Sequence, residues 1–136
     1  MRLLILAFLS LSFLSSRAQK ELLPEELKGH IGDSVRVKGK ISGVRYFESA
    51  KNSPTLINVG GAYPNQVYTI VIFGDVRKKL GFNPEESKYA GGIAIVTGKV
   101  ELYKDKPQIV ITDPAQLQIL NDAGFSNDQL PPMKKN

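Results

Sequence analysis

Cations and aromatic rings are concentrated in two short segments of the chain, residues 45–54 (RYFESAKNSP) and residues 103–107 (YKDKP). Lysine and arginine side chains can follow the phosphates of a single nucleic-acid strand, and flat rings can stack on its bases. If the fold brings the two segments together, they predict a surface that binds such a strand. The candidate residues in them are Arg45, Tyr46, Lys51, Tyr103, Lys104 and Lys106.

The same residues have a purely structural interpretation. Lysines at a hairpin tip keep a protein soluble and blunt the edge of a sheet. Asp105 and Glu48 weaken the local positive field, and Tyr46 and Tyr103 can pack at the rim of a fold. The sequence leaves both interpretations open.

Three further candidates lie outside these segments. Tyr63 and Asn65 belong to GGAYPNQ (60–66), where paired glycines let a backbone approach a ligand closely, although a tight turn favours the same residues. Phe73 ends an apolar run. It serves as a stacking platform if it shares the outer face with Thr69, or it packs against the helix that follows.

Signals for catalysis are weak. The chain has one histidine, His30, and no cysteine, and its acidic residues are scattered. No Gly-rich Lys-Ser/Thr phosphate loop is present, and the few arginines do not match the motif of a staphylococcal-nuclease-like enzyme. We therefore expect a binding module rather than an enzyme, with no cofactor and no metal.

Alternation of apolar and polar residues over 34–46 and 98–103, together with apolar runs elsewhere, predicts five strands. They cover residues 34–46, 55–59, 67–73, 92–103 and 107–112. VKGKI (37–41) and VTGKV (96–100) share a glycine that fits long strands turning the corner of a small barrel.

Two helical regions complete the element order. LLPEELK (22–28) predicts a short N-terminal helix, and residues 74–91 predict a helical connection with Asp75 and Asn83 as N-caps. The order β-β-β-α-β-β is that of the OB fold. We therefore predict an all-β protein with small α content: a five-stranded Greek-key OB-fold barrel with a helical connection between the third and fourth strands.

The first 18 residues have the layout of a secretory signal peptide, with Arg2 before an apolar run and Ala18 at the cleavage site. We expect an OB-fold domain over residues 19–120 and a flexible basic tail over 121–136. Of 18 basic side chains, loss of Arg2 and Arg17 leaves 16 against 13 acidic ones, a net charge of +3. The expected product is exported, periplasmic or secreted, with no membrane span and an undetermined oligomeric state.

Three stretches carry a family resemblance. HIGDSVRVKGKISGVRY (30–46), GGAYPNQVYTIVIFGD (60–75) and GKVELYKDKPQIVITDPAQL (98–117) resemble the OB-fold nucleic-acid-binding family of the anticodon-binding-like type. That family includes small exported bacterial proteins made of a signal peptide and this one domain. The resemblance covers residues 26–120.

The resemblance implies a ligand groove across the second and third strands, rimmed by the loops after the first and fourth strands. Single-stranded DNA or RNA is the expected partner. The alternative is an exported OB-fold module that binds a small anionic ligand, an oligosaccharide or other glycan, or an envelope protein.

Overall fold

The computed structural model of the chain describes residues 20–121. In this range seven strands run in the order β1 (Glu21–Leu22), β2 (Ser34–Tyr46), β3 (Thr55–Val59), β4 (Tyr68–Ile72), β5 (Ile93–Tyr103), β6 (Lys106–Val110) and β7 (Leu117–Leu120). One short α-helix, α1, covers Gly74–Arg77, and 3-10 helices cover Pro24–His30, Ser87–Tyr89 and Pro114–Gln116. The predicted signal peptide and residues 122–136 of the predicted tail lie outside the described residues.

The strands close into a barrel because β2 pairs with a different strand along each half of its length. Residues 34–40 pair antiparallel with β5, and residues 41–46 pair antiparallel with β3. The wall continues antiparallel from β3 to β4, parallel from β4 to β6 and antiparallel from β6 back to β5. Strands β2–β6 form the predicted five-stranded OB-fold barrel, which is thereby confirmed, and β1 and β7 extend its edges.

The two glycines of the repeated Val-x-Gly-Lys phrase lie where the barrel has little room for a side chain. A Cβ atom on Gly39 would lie 2.5 Å from Val59 Cγ1, and one on Gly98 would lie 2.7 Å from Ile109 Cγ2. The bend in β2 falls just beyond Gly39, where its register with β3 shifts between Ile41 and Gly43.

Alternate side chains along the strands fill the barrel interior. Tyr68, Ile70 and Ile72 of β4 are fully buried, as the alternation predicts. Leu27 of the first 3-10 helix joins the same core, and burying a side chain of this size stabilises the fold by roughly 1.5–3 kcal/mol. Burial raises the pKa of the Tyr68 hydroxyl, which has no hydrogen-bond partner among the described residues.

The helical regions are present but their details differ from the prediction. The N-terminal one is a 3-10 helix that starts at Pro24, because Glu21–Leu22 pairs in parallel with β2. Asp75 and Asn83 are not N-caps: Phe73 holds that position before α1 and Glu86 before the next 3-10 helix. The Asn83 side chain instead accepts a hydrogen bond from Arg77 Nη2 at 3.2 Å.

Strand β7 was not predicted. It pairs antiparallel with β5 and buries Leu117 and Ile119. A strand of four residues is too short to show a clear alternation of apolar and polar side chains. Its structure is therefore decided by pairing with β5. No helix among residues 20–121 is long and apolar enough to cross a membrane.

Candidate functional site

A groove of about 570 Å³ crosses the outer face of β3, β4 and β6. Side chains from these strands form its floor, and the loops at either side form its walls. The lining residues are Arg45, Phe47, Leu56, Asn58, Tyr63, Pro64, Gln66, Thr69, Val71, Tyr103, Lys104, Lys106, Pro107 and Gln108.

The floor follows directly from strand register. Leu56 of β3 lies opposite Val71 of β4, and Asn58 lies opposite Thr69. Gln108 of β6 lies beside Thr69 on the other side. Because residues two apart on a strand share a face, an apolar row and a polar row run side by side across the sheet.

The β5–β6 hairpin forms one wall. Its loop is only Lys104-Asp105, since Tyr103 and Lys106 are already a strand pair. Both loop residues have positive φ, 47° and 62°, which non-glycine residues adopt at a cost of about 1–2 kcal/mol each. The Lys104 ammonium lies 5.4 Å from the centre of the Tyr103 ring.

Lys106 joins the hairpin to the loop between β3 and β4. Its ammonium donates a hydrogen bond to the carbonyl oxygen of Pro64. This contact links two walls of the groove and brings Tyr63 and Tyr103 to the same rim. Lys106 therefore has a structural contact in addition to the charge it adds to the groove.

Three exposed rings surround the groove. Tyr63 is 72% exposed, Tyr103 59% and Phe47 36%. The Arg45 guanidinium lies 5.2 Å from the centre of the Phe47 ring.

The charged side chains that line the groove are all positive. Among the described residues that line the groove, three are cationic and none is a carboxylate; the cations are Arg45, Lys104 and Lys106.

Five of the nine predicted site residues line this groove, and the structure brings them together from the end of β2, the β3–β4 loop and the β5–β6 hairpin. They are Arg45, Tyr63, Tyr103, Lys104 and Lys106. Lys51 and Asn65 are exposed in neighbouring loops and do not line it. Phe73 precedes α1, where its carbonyl oxygen accepts a backbone hydrogen bond from Arg77, and it does not line the groove.

Tyr46 belongs to a separate cluster on the other side of β2. The guanidinium of Arg77 stacks 3.6 Å from the centre of the Tyr46 ring. The guanidinium nitrogens of Arg77 donate to Thr55 Oγ1 at 2.9 Å and to both carboxylate oxygens of Glu85. We call Tyr46, Thr55, Arg77, Asn83 and Glu85 the Arg77 cluster.

The Arg77 cluster holds the connection after β4 against the barrel wall. Hydrogen bonding from Arg77 holds the pKa of the Glu85 carboxyl below its ordinary value. The Arg77 side chain is only 11% exposed, and its nitrogens donate to Thr55, Asn83 and Glu85. This arrangement indicates a structural role.

Sequence reasoning missed Leu56, Asn58, Gln66, Gln108 and the two prolines of the groove. Asn58 carries the clearest signal, an amide side chain inside the β3 sequence TLINV, where its neighbours Ile57 and Val59 are apolar. Thr69 was placed on the outer face by alternation, as the structure has it. His30 contacts Asp33 at 3.3 Å on the surface, and no group of three metal-ligating side chains occurs within residues 20–121.

The barrel and its open groove define an OB-fold domain, and comparison with known proteins supports that fold. No protein-family model and no curated protein sequence matches the chain. Among solved structures, a protein described as an aspartyl-tRNA synthetase from Leishmania major Friedlin aligns with 82% of this chain at a TM-score of 0.54 and 10% sequence identity. The alignment covers 22% of the synthetase chain, so the likeness concerns the barrel alone.

Two other solved structures also align with the chain. OBody AM1L10, solved bound to hen egg-white lysozyme, covers 69% of this chain and 84% of its own, at a TM-score of 0.46 and 18% identity. The Stn1–Ten1 complex of S. pombe covers 66% of this chain and 60% of its own, at a TM-score of 0.42 and 12% identity.

Proposed function

We propose that this protein is a non-enzymatic binding module whose groove takes single-stranded DNA or RNA. One observation carries the proposal: three exposed rings and three cations surround an apolar groove whose described lining holds no carboxylate. Exposed rings on one concave face are what bases stack upon, and each stacked base contributes about 1–3 kcal/mol.

In this proposal, different walls of the groove hold different parts of the ligand. Tyr63 and Tyr103 lie at the rim where bases can stack, and Arg45 and Lys104 lie where backbone phosphates can pass. Leu56 and Val71 offer an apolar floor to the faces or sugars of the bound strand. The modest net charge predicts weak binding at physiological salt, because phosphate contacts dominate affinity for nucleic acid.

Fluorescence anisotropy of the purified chain with labelled single strands tests the proposal. Three cations on phosphates predict a slope of about −2 for log affinity against log salt, or roughly 15-fold weaker binding at 200 than at 50 mM salt. Single-stranded DNA or RNA should bind more tightly than duplex, and heparin should compete incompletely. Failure to bind any single strand at the lower salt concentration would remove nucleic acid as the ligand.

A second candidate is a small anionic ligand. A groove of about 570 Å³ lies within the range of small-molecule sites, about 300–1,000 Å³, and its cations would hold a negative group. Binding of a compact phosphate ester that resists competition by oligonucleotides would favour this alternative. Envelope proteins and glycans are the remaining partners to test if neither class binds.

We also propose that the protein is exported, on the basis of residues 1–18. Expression in a bacterial host followed by mass analysis of the envelope fraction should detect a product that begins at Gln19. A product that retains Met1 in the cytoplasm would contradict export.

We further propose that binding involves no bond cleavage. Oligonucleotides incubated with the protein should stay intact, and time-dependent shortening that remains after repurification would contradict a non-enzymatic role.

A further inference from the structure

A polar relay lies in the floor of the groove. Gln66 Nε2 donates to Thr69 Oγ1 at 3.4 Å, and the Thr69 hydroxyl donates to Asn58 Oδ1 at 3.2 Å. Asn58 is 6% exposed, yet it lines the groove. A relay of this kind gives each member a defined hydrogen-bond direction.

The direction of the relay decides which atoms of Asn58 can meet a ligand. A threonine hydroxyl has one proton, and here that proton goes to Asn58 Oδ1. The Asn58 amide nitrogen donates to no other group among residues 20–121. The floor therefore offers the ligand a hydrogen-bond donor, while the amide oxygen of Asn58 is already engaged.

The other end of the relay lies at Gln66, which also lines the groove. Gln66 Oε1 is buried without a partner among the described residues, and Gln66 Nε2 supplies the proton that the Thr69 oxygen accepts. With that proton received, the Thr69 hydroxyl directs its own proton to Asn58 Oδ1.

We infer that Asn58, oriented by Thr69, reads a carbonyl oxygen on the bound ligand and makes the groove prefer keto bases such as thymine and uracil over adenine. This inference rests on the proposed function. Asparagine recognises adenine by using its oxygen and its nitrogen together. In this groove Thr69 occupies one lone pair of that oxygen and fixes the plane of the amide, and the nitrogen, with both protons unused among the described residues, is the group that donates to a keto oxygen.

The test compares oligo(dT) with oligo(dA) of about ten nucleotides, which is within the site size of one OB fold. The native protein should bind oligo(dT) roughly three- to tenfold more tightly, the value of one net hydrogen bond. Oligo(dA) is stiffer in solution, so the decisive quantity is the change in this ratio between protein variants, in which the stiffness cancels.

Asn58→Leu keeps the side-chain size and removes the donor, so the ratio should fall by the same three- to tenfold. Thr69→Val should lower the ratio too, since it frees the Asn58 amide to rotate. Thr97→Val, the same substitution on β5 outside the groove, should leave the ratio unchanged. Circular dichroism confirms that each variant is folded before its ratio is read.

The outcomes separate the inference from the function on which it rests. If both oligonucleotides bind and neither Asn58→Leu nor Thr69→Val changes the ratio, Asn58 does not read the base and the proposed function stands. A native preference for oligo(dA) that these variants abolish would mean that the relay runs in the reverse direction, which overturns the inference. Absence of binding by either oligonucleotide removes both.

Discussion

Arg45 and Tyr46 are neighbours on β2, but alternation sends them to different surroundings. Arg45 lines the groove beside the partly exposed Phe47, and no acidic side chain pairs with it in the described residues. Tyr46 lies under Arg77, whose nitrogens are taken up by Thr55, Asn83 and Glu85.

Both regions therefore combine a cation with a ring. They differ in whether the protein itself satisfies these groups. In the Arg77 cluster it does, and the result is a contact that holds the fold. In the groove, Arg45 and Lys104 each contact one ring but pair with no carboxylate among the described residues, and the result is a surface whose rings and cations are accessible.

Arg77→Ala should have the largest effect, because it disrupts the Arg77 cluster and lowers the stability of the fold. The substitution leaves the buried Thr55 hydroxyl without its partner, which costs about 1–3 kcal/mol. It also removes the pair with the partly exposed Glu85, which adds under about 1 kcal/mol. Urea unfolding should show this loss, while oligonucleotide affinity of the folded fraction stays close to that of the native protein.

Arg36→Ala serves as the matched control. Arg36 pairs with Glu21 at 3.2 Å, but both side chains are 40% exposed, so the cost should be under about 1 kcal/mol. Equal losses for the two variants would contradict the structural role assigned to the Arg77 cluster.

Tyr103→Ala combined with Lys104→Ala should weaken oligonucleotide binding in the groove. The pair supplies one ring and one cation to the groove, so we expect about 2 kcal/mol of lost binding energy, or roughly 30-fold weaker affinity. Both side chains are exposed, and the unfolding midpoint should change little. Anisotropy and urea titrations measure the two quantities.

Leu102→Ala combined with Lys99→Ala is the control on the same strand. Both residues are exposed on β5 but neither lines the groove. Affinity should therefore remain near the native value. If the control weakened binding as much as the groove variant, general charge and hydrophobicity would explain the binding, and the groove would not.

The comparison also explains what the sequence could and could not predict. Hydrophobic patterning identified β2–β6, by alternation in β2 and by a nearly continuous apolar run in β4, because burial imposes its pattern on each strand separately. The candidate cations could be predicted because each group of them lies within one short, continuous segment of the sequence. These features depend on neighbours in the sequence.

Features that depend on distant partners were missed. Asn58 and Thr69 form one floor only through the β3–β4 register, which a single sequence does not reveal. Asn83 looks like a helix cap, but its side chain is drawn to Arg77. Tyr46 resembled a binding residue because Arg77, 31 positions away in the sequence, could not be assigned to it.

The turn of the β5–β6 hairpin provides a sharper test of the groove. Lys104 and Asp105 both adopt positive φ, whereas Asn-Gly is the favoured pair for a two-residue turn of this kind. Replacing them by Lys104→Asn and Asp105→Gly should stabilise the fold by about 1 kcal/mol. Oligonucleotide affinity should fall severalfold, because one groove cation is lost.

Stability and affinity would then move in opposite directions at one turn. Asp105→Gly alone is the control: it should relieve part of the strain and leave affinity unchanged or higher. A double variant that gains stability and binds as tightly as the native protein would show that Lys104 has no part in binding.

Lowering the pH should have the smallest effect on the stability of the fold, and this effect should come from the Arg77 cluster. The ordinary pKa of Glu85 is 4.5, and Arg77 lowers it in the folded protein. The ionised carboxylate therefore stabilises the fold above pH 4.5. That contribution is lost as the pH falls from there through the lowered folded value. Because Glu85 is partly exposed, the loss should stay under about 1 kcal/mol.

Urea unfolding of the native protein and of Glu85→Gln across this range measures the effect. The stability difference between the two proteins should be largest near neutral pH and shrink in acid, since the native carboxylate becomes neutral like the amide. Arg77→Ala should remove the same pH-dependent difference, because it removes the cause of the lowered pKa. A difference between native and Glu85→Gln that stays constant from neutral pH into acid would mean that the ionised Arg77–Glu85 pair does not stabilise the barrel.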